Sequence, residues 1–275
     1  MNILFCGDGN ISDGVVISTL SLLKNTKDTV HIYLLTATVT RGSTHYTALS
    51  KEFADYLDAL VKEENEENTV SLFDISELFL RELPYANMET RFTPCCMLRL
   101  YADLVEELPD RILYLDNDVI CRLNPEEFYN TDMGDAELAG VLDYYGSWFF
   151  KRQRFQRNYL NSGVLLLNLG KIRQTGLFKK CRERCRNTEM LMPDQSAINK
   201  LAQKKLIFPR KYNEQRKLHK DTVFQHFTTS FRFFPWVHTV SVKPWNIEGM
   251  HNILKLTEYD DILNRYVAVK QNYKL

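Results

Sequence analysis

The sequence has no long hydrophobic run, no excess of charge of either sign and no strongly basic stretch. No window reaches the roughly 18 apolar residues that a membrane-spanning helix needs, so we expect no transmembrane segment. Lysine plus arginine and aspartate plus glutamate both number 35, which gives a formal net charge of zero. Because no positive field would attract polyphosphate, we expect no nucleic-acid partner.

Signals for secretion and for structural zinc are also missing. Residues 1–6 contain no basic leader and no long apolar core, which predicts that there is no signal peptide. The six cysteines form no zinc-type CxxC set, and Cys181 and Cys185 are interpreted as incidental thiols of one helix. Reduced cysteines of this kind fit a cytoplasmic protein.

What is present is an alternation of strands and helices. Apolar runs predict strands over residues 3–6, 30–35 and 70–75, with helices over 14–24 and about 45–63 between them. This order predicts an α/β fold, a Rossmann-like and mostly parallel central sheet with helices on both faces.

No linker or repeat interrupts the chain, so we predict one domain over residues 1–275. Its nucleotide-binding half is expected over about 1–120, and its acceptor-side half, with the C-terminal helix, over about 121–275. The aromatic and basic region 143–160 is interpreted as a segment that covers a site. The remaining predicted elements are a helix at 96–107, apolar segments at 112–115, 138–142 and 164–169, and helices near 175–187, 194–203 and 257–270.

The most informative stretch is Tyr114-Leu115-Asp116-Asn117-Asp118, where two carboxylates follow an apolar strand. In an extended chain, residues i and i+2 point to the same side, so Asp116 and Asp118 can offer oxygen ligands to one cation. Open α/β sheets bind their ligands at the carboxyl ends of the strands. The pattern therefore predicts a Mg²⁺ or Mn²⁺ site for a diphosphate, with a simple turn as the alternative.

Further polar signals precede and follow this stretch. Asp8 and Asn10 lie in a glycine-containing loop between a strand and a helix, where nucleotides are usually bound, although a capped turn would have the same sequence. The downstream signals are Arg99, Asn161 before an apolar run, Asp194 and Gln195 at a helix start, His226, and Lys243 before Pro244 and Trp245.

In this order, the motifs resemble the retaining glycosyltransferases of family 8. These enzymes have the GT-A fold and transfer glucose, galactose or related sugars from UDP-sugars; bacterial lipopolysaccharide galactosyltransferases and glycogenin belong to them. The resemblance extends from about residue 2 to about residue 246. It is most specific at 113–118, 161–169, 194–195 and 243–245.

The resemblance implies a Mn²⁺ or Mg²⁺ ion that holds both phosphates of the donor. Its ligands would be Asp116, Asp118 and His226, with His238 as an alternative to the last. Lys243 would steady the diphosphate. In the family the histidine and lysine lie in a compact His-x-x-Gly-x-x-Lys-Pro-Trp motif, whereas here the segment between them is longer and contains no glycine.

The resemblance also implies contacts to the rest of the donor. Those to the uridine and its ribose would fall on Asp8, Asn10 and Asn117. Those to the hydroxyls of the donor sugar would fall on Arg99, Asn161 and Asp194. Gln195 would lie beneath the anomeric carbon, and because an amide is a poor nucleophile, front-face attack by the acceptor hydroxyl is the expected mechanism, with adjacent Asp194 as the other candidate.

Two other functions fit parts of the sequence. A phosphatase of the haloacid dehalogenase type also has an apolar strand followed by Asp-x-Asp, and it would need Asp260 and Asp261 as later acidic ligands. A non-catalytic sugar-nucleotide binder is the second alternative, and it would be expected to have a broken metal set. A nucleotidyltransferase would use a glycine-rich basic loop that the N-terminus lacks.

The predicted function is therefore metal-dependent, retaining transfer of a hexose from a UDP-sugar to a hydroxyl of a saccharide or glycolipid. The expected setting is cell-surface polysaccharide or lipopolysaccharide synthesis in the bacterial cytoplasm, at most peripheral to the inner face of the membrane. Aromatic residues at 148–150 and 231–236 are candidates for an acceptor groove, because aromatic faces suit sugar rings, for the core, or for a partner-binding surface.

Overall fold

The computed structural model describes residues 1–90, 92–144, 158–232 and 238–273, with side chains at all of these except 230–232, 238, 272 and 273. The aromatic residues 148–150, residues 233–236 of the aromatic segment 231–236, and most of the predicted covering segment 143–160 lie outside the described residues.

Strands and helices alternate along the first third of the chain, and shorter strands follow. The strands are β1 Asn2–Gly7, β2 His31–Thr36, β3 Val39–Arg41, β4 Thr44–Tyr46, β5 Thr69–Asp74, β6 Arg111–Leu115, β7 Val119–Cys121, β8 Leu138–Leu142, β9 Leu160–Asn168, β10 Lys205–Phe208, β11 Phe224–His226, β12 Ser230–Arg232 and β13 His238–Val240. The helices are α1 Ser12–Asn25, α2 Lys51–Lys62, α3 Ser76–Arg81, α4 Glu126–Tyr129, α5 Leu169–Thr175, α6 Leu177–Asn187, α7 Pro193–Leu201, α8 Ile247–Asn252 and α9 Asp260–Tyr273. The longest 3₁₀ segment is Pro94–Leu104.

Seven strands form the central sheet in the order β10-β8-β9-β6-β1-β2-β5. Six of them run in one direction, and β9 alone runs antiparallel to both of its neighbours. The start of β9 therefore lies at the same edge of the sheet as the ends of β1, β6 and β8. This edge collects the loops that follow three parallel strands and the first residues of the one reversed strand.

Both faces of the sheet are covered, which is why its strands are continuous apolar runs. In β1, Ile3 and Phe5 pack into one core cluster with α1, α2 and α9, whereas Leu4 packs into a second cluster with the 3₁₀ segment, α6 and α7. All three side chains are fully buried. The predicted α/β architecture with helices on both faces is confirmed.

Two local predictions differ from the structure. The helix expected over 45–63 begins only at Lys51, because Ser50 caps it by accepting the Phe53 N–H at 3.2 Å, and residues 44–46 form an antiparallel hairpin with β3 instead. The helix expected over 96–107 is a 3₁₀ segment that starts earlier, with Pro94 at its first turn. The division of the chain at about residue 120 stays a prediction.

None of the helices within the described ranges combines the length and the apolar character that a bilayer crossing requires.

A buried arginine joins α6 to the 3₁₀ segment. The side chain of Arg182 is 3% exposed, and its guanidinium contacts the Asp103 carboxylate and the Leu100 carbonyl, and Glu82 Oε2 at 2.6 Å. It also lies 5.2 Å from the centre of the Tyr101 ring. Removing one member of a buried ion pair is costly because the other charge is left without compensation.

We expect Arg182→Met to lower the free energy of unfolding by roughly 3 kcal/mol, since Asp103 would remain buried and unpaired. Urea denaturation measures this loss. The control is Lys51→Met, which removes a partner of an exposed pair with Asp55 and should cost less than about 1 kcal/mol. Adding Asp103→Leu to Arg182→Met should recover part of the stability; equal stability of Arg182→Met and the natural chain would contradict the interpretation.

Candidate metal and active site

Polar side chains converge at the edge of the sheet where β9 begins. Asp116 follows β6, Asp143 follows β8, and Asn161 lies at the start of β9. Leu115 pairs with Val164, and the Asp116 N–H donates to the Gly163 carbonyl at 2.8 Å. The reversed direction of β9 is therefore what places its first residues beside the aspartates.

Asp116, Asp118 and His226 each offer a ligand atom within 4.8 Å of the other two. His226 Nε2 lies 3.1 Å from Asp118 Oδ1 and 3.6 Å from Asp116 Oδ2. The two carboxylates and the imidazole are the donor types that Mn²⁺ and other divalent ions accept. The structure thus places together the three residues that the resemblance named, while the side chain of His238 lies outside the described residues.

The tautomer of His226 follows from its second ring nitrogen. Nδ1 lies 3.2 Å from Oδ1 of Asn213, and the amide of Asn213 is oriented because its Nδ2 donates to Asn161 Oδ1 at 2.9 Å. Because an amide oxygen only accepts, Nδ1 carries a proton, and as a metal ligand the ring would direct the Nε2 lone pair at the aspartates. The ring orientation therefore suits coordination of a cation through Nε2.

The backbone of residues 116–118 is not the extended chain that the spacing of the two aspartates predicted. β6 ends at Leu115, and residues 116–118 form a turn in which the Val119 N–H donates to the Asp116 carbonyl at 3.2 Å. The carboxylates converge because the chain turns there. The turn weighed from sequence as the alternative is therefore observed, and it brings together the two carboxylates of the candidate metal site.

Lys243 contacts the second aspartate. Its Nζ pairs with Asp118 Oδ2 and donates to the Phe227 carbonyl at 2.9 Å. Burial alone would raise the pKa of Asp118, but the nearby His226 and Lys243 lower this pKa below its ordinary value. Asp118 is therefore held as a carboxylate, the form that binds metal.

The long segment between His226 and Lys243 folds back on itself. β12 and β13 within it pair as an antiparallel hairpin, with Ser230 opposite Val240. Because a hairpin returns the chain close to its starting point, the extra residues leave the lysine next to the metal cluster.

Arg99 lies at the centre of the site and is 6% exposed. Its guanidinium donates to Asp116 Oδ1 at 2.9 Å and to the Ser162 carbonyl at 2.7 Å, and its Nε lies 3.2 Å from Asp194 Oδ2. It stacks over the Tyr114 ring at 4.1 Å. These contacts orient the carboxylates of Asp116 and Asp194, which come from distant parts of the chain.

Asp194 and Gln195 begin α7 and are both buried. Burial raises the pKa of Asp194, and the Arg99 charge only partly offsets this effect. Gln195 Oε1 accepts the Ser162 N–H at 2.9 Å, and its Nε2 donates to Asp143 Oδ2 at 3.2 Å. The amide of Gln195 is thus held in one orientation.

The predicted nucleotide contacts lie on the other side of β6. Asp8 Oδ1 accepts the Asn10 N–H at 3.0 Å, so the first loop is a capped turn with the carboxylate buried and Asn10 exposed. Asn117 packs against α1, where a methyl group on Gly14 would lie 2.2 Å from the Asn117 carbonyl oxygen and 2.8 Å from a Trp245 ring carbon.

Several residues of the site were not identified from sequence. The one sequence pattern that marks Asp143 is its position after an apolar run at the same edge of the sheet, which it shares with Asp116. In the structure it accepts the Asn161 Nδ2–H at 2.9 Å. The Tyr114 hydroxyl donates to Asp116 Oδ1 at 2.5 Å. Asn213 had no signal, since its contacts to His226 and Asn161 depend on the tertiary structure.

The sequence matches the model of the family described as glycosyl transferase family 8 over residues 2–249. The chain belongs to glycosyl transferase family 8. Members of this family are glycosyltransferases, and the converging carboxylates and histidine lie at the edge of the sheet where such an enzyme needs its ligands.

Curated relatives in the family come from bacteria and plants. The lipopolysaccharide 1,2-glucosyltransferase of Escherichia coli is 26% identical over 295 aligned residues, which cover 97% of this chain and 81% of that protein. The lipopolysaccharide 1,3-galactosyltransferase of Salmonella typhimurium is 26% identical over 225 residues, covering 73% of this chain and 65% of that protein.

Solved structures share the fold. The galactosyltransferase LgtC in complex with donor and acceptor sugar analogues superimposes with a TM-score of 0.69 at 18% identity, covering 98% of this chain and 96% of that one. The glycosyltransferase GlyE of Streptococcus pneumoniae TIGR4 gives a TM-score of 0.61 at 19% identity, with coverage of 97% and 64%. The family 8 chain thus has the GT-A fold.

The phosphatase alternative is wrong. Asp260 contacts His251 at 2.7 Å, and Asp261 pairs with Lys24, so the late acidic pair lies at the start of α9 and takes part in surface contacts. The family match over residues 2–249 includes the Asp116-Asn117-Asp118 turn.

Gly163 leaves no room for a side chain. A methyl group there would lie 2.1 Å from His226 Cε1 and 2.8 Å from Asp116 Oδ2. We expect Gly163→Ala to displace the histidine and to abolish Mn²⁺ binding, as measured by isothermal titration calorimetry. The control is Gly140→Ala on neighbouring β8, where the nearest atom, at 2.9 Å, is the end of the flexible Leu165 side chain. Undiminished Mn²⁺ affinity in a folded Gly163→Ala variant would contradict this account.

The Tyr114 hydroxyl orients a predicted metal ligand. Because loss of such a partner usually costs 10–100-fold in metal affinity, we expect Tyr114→Phe to weaken Mn²⁺ binding by about tenfold. Tyr101→Phe is the matched control, since that hydroxyl donates to the Glu82 carbonyl at 2.7 Å and contacts no member of the cluster. Equal Mn²⁺ affinities of the two variants would show that Tyr114 has no orienting effect.

Proposed function

We propose that this chain is a metal-dependent, retaining glycosyltransferase that transfers a hexose, glucose or galactose, from a UDP-sugar to a hydroxyl of a saccharide or glycolipid acceptor. The observation that carries the proposal is the Asp116, Asp118 and His226 cluster, in which Nε2 of the imidazole lies 3.1 Å and 3.6 Å from the two carboxylates. These three side chains are suitable ligands for a divalent cation, and membership of glycosyl transferase family 8 indicates the reaction class.

The charges at the sheet edge support a bound divalent ion. The carboxylates gathered there are Asp8, Asp116, Asp118, Asp143 and Asp194, and the cationic side chains among the described residues that contact them are Arg99 and Lys243. A negatively charged diphosphate would be repelled by such a site. When bound, Mn²⁺ or Mg²⁺ neutralises the carboxylates and acts as a Lewis acid on the diphosphate leaving group.

The chain's own residues would hold the donor around that ion. Asp8 and Asn10 would contact the uridine, Asn117 its ribose, and Lys243, already beside Asp118, would add a positive charge to the diphosphate as the bond to the sugar breaks.

The sugar would lie between β9 and α7. Asn161 and Asp194 would contact its hydroxyls, and Arg99 would share this task or would act by orienting Asp194 and Asp116, as its contacts favour. Gln195, fixed by Ser162 and Asp143, would place an amide dipole beneath the anomeric carbon.

Front-face attack by the acceptor hydroxyl fits this arrangement better than a covalent intermediate. Gln195 is an amide, and the Asp194 carboxylate is engaged by Arg99 and by the Ser162 hydroxyl at 3.4 Å. In the proposed step the hydroxyl proton passes to the departing phosphate oxygen as the new glycosidic bond forms. A glycosyl adduct trapped on Asp194 would overturn this mechanism.

The setting we propose is the bacterial cytoplasm, at most peripheral to the inner face of the membrane, in the synthesis of lipopolysaccharide or another cell-surface polysaccharide. Support comes from the names of the relatives, a lipopolysaccharide 1,2-glucosyltransferase and a lipopolysaccharide 1,3-galactosyltransferase.

Thermal unfolding with UDP and MnCl₂, together and separately, tests the donor site. UDP at ~100 times its dissociation constant should stabilise the chain by about 2.7 kcal/mol when Mn²⁺ is present, and EDTA should remove the effect. Asp118→Asn is the control that should lose the response, and release of UDP from UDP-glucose and UDP-galactose then distinguishes the donors. Stabilisation without hydrolysis or transfer would favour the non-catalytic binder, and no response at all would contradict the proposal.

A further inference from the structure

A cavity of about 730 Å³ lies beside the metal cluster and is not used by the proposed donor site. It is lined by Arg210, residues 213–219 and Gln225, by Val141 and Tyr144 near the end of β8, and by Leu254 and Leu256 after α8. Its volume is within the range of small-molecule sites, which are roughly 300–1,000 Å³. The cavity is therefore large enough for one or two sugar rings.

This cavity adjoins the metal cluster at Asn213. Asn213 lines the cavity and also contacts His226. Gln215 lines it too, and its amide bonds to the Leu142 carbonyl at 3.1 Å and the Tyr144 N–H at 3.0 Å, on either side of Asp143. Residues 213–215, which contact His226 and the backbone on either side of Asp143, thus form one side of the cavity.

The charge of the lining is positive, although the chain as a whole is neutral. Glu214 is buried and is compensated by Arg210 at 2.7 Å. Among the residues that the structure describes, no carboxylate pairs with the side chains of Arg216 and Lys217, and both are exposed. Two cationic groups at the cavity are therefore available to an anion.

An aromatic ring supports one of these cations. The Arg216 guanidinium stacks over the Tyr144 ring at 4.3 Å and donates to its hydroxyl. Stacking holds the planar guanidinium in place while leaving edge donors for a bidentate contact with phosphate or carboxylate. Leu254 and Leu256 add apolar surface on another side of the cavity.

We propose that this cavity binds the acceptor through an anionic substituent, a phosphate or carboxylate, on a sugar near the hydroxyl that is glycosylated. The inference rests on the proposed function, because it makes the cavity the acceptor part of that site. Arg216 and Lys217 would contact the anion, and Tyr144 would hold the Arg216 guanidinium in position. An anionic acceptor would be preferred over a neutral one because two uncompensated positive charges are paired only by the former.

Calorimetric titration of the full chain, in Mg²⁺ and UDP, tests the inference with galactose, galactose 6-phosphate, galacturonate and inorganic phosphate. We expect at least one of the two anionic sugars to bind tenfold or more tightly than galactose and than inorganic phosphate. Arg216→Gln combined with Lys217→Gln should abolish this difference. Arg81→Gln combined with Lys51→Gln removes the same two charges from residues that do not line the cavity and should leave the preference unchanged.

Three results would overturn the inference: no preference for either anionic sugar, a preference that survives in the Arg216 and Lys217 variant, or competition between the anionic sugar and UDP, which would assign the anion to the donor diphosphate site. Stabilisation by UDP and Mn²⁺ should be equal in this variant and the natural chain. Failure of that stabilisation in the natural chain would instead count against the proposed donor site.

Discussion

Buried carboxylates are the constraint on which the rest of this site depends. Burying an unpaired charge costs several kcal/mol, so the buried Asp118 and Asp194 and the partly buried Asp116 need cations beside them at the sheet edge. Arg99 contacts Asp116 and Asp194, and Lys243 contacts Asp118. The arginine in turn needs the 3₁₀ segment that carries it to be held in place, which is the task of the buried contacts around Arg182 in α6. Stability and the candidate chemistry are thus coupled through the 3₁₀ segment, which carries both Arg99 and Asp103.

The reversed strand β9 has the second organising effect. Had it run parallel to β6, its first residues would lie at the opposite edge of the sheet, far from the aspartates. Antiparallel pairing instead places Gly163 against the cluster, where only a glycine fits. It also places Ser162 and Asn161 within hydrogen-bond distance of Gln195 and Asp143. One strand direction therefore joins residues from both halves of the chain, and the cavity lined by Arg216 and Lys217 adjoins the same cluster at Asn213.

Sequence reasoning was most successful where the signal was local. The apolar runs of β1, β2, β5 and β6 and the carboxylate pair after β6 follow from residues within a few positions of one another. It failed at residues 44–46, where β-branched and aromatic side chains favoured a hairpin over the start of a helix. It missed Tyr114, Asp143 and Asn213, because the importance of each depends on a partner elsewhere in the chain. Asp143 could have been found by the rule that identified Asp116, since it also follows an apolar strand.

The sequence alone determined the α/β class, the family and the candidate ligands Asp116, Asp118 and His226, because apolar periodicity and short motifs are properties of neighbouring residues. Tertiary structure decided which groups meet. It selected the His226 tautomer through Asn213, returned Lys243 to Asp118 through the β12–β13 hairpin, and left Arg216 and Lys217 without acidic partners among the described residues. These outcomes could not be derived from spacing, since electrostatic and hydrogen-bond energies depend on distances that only the folded chain defines.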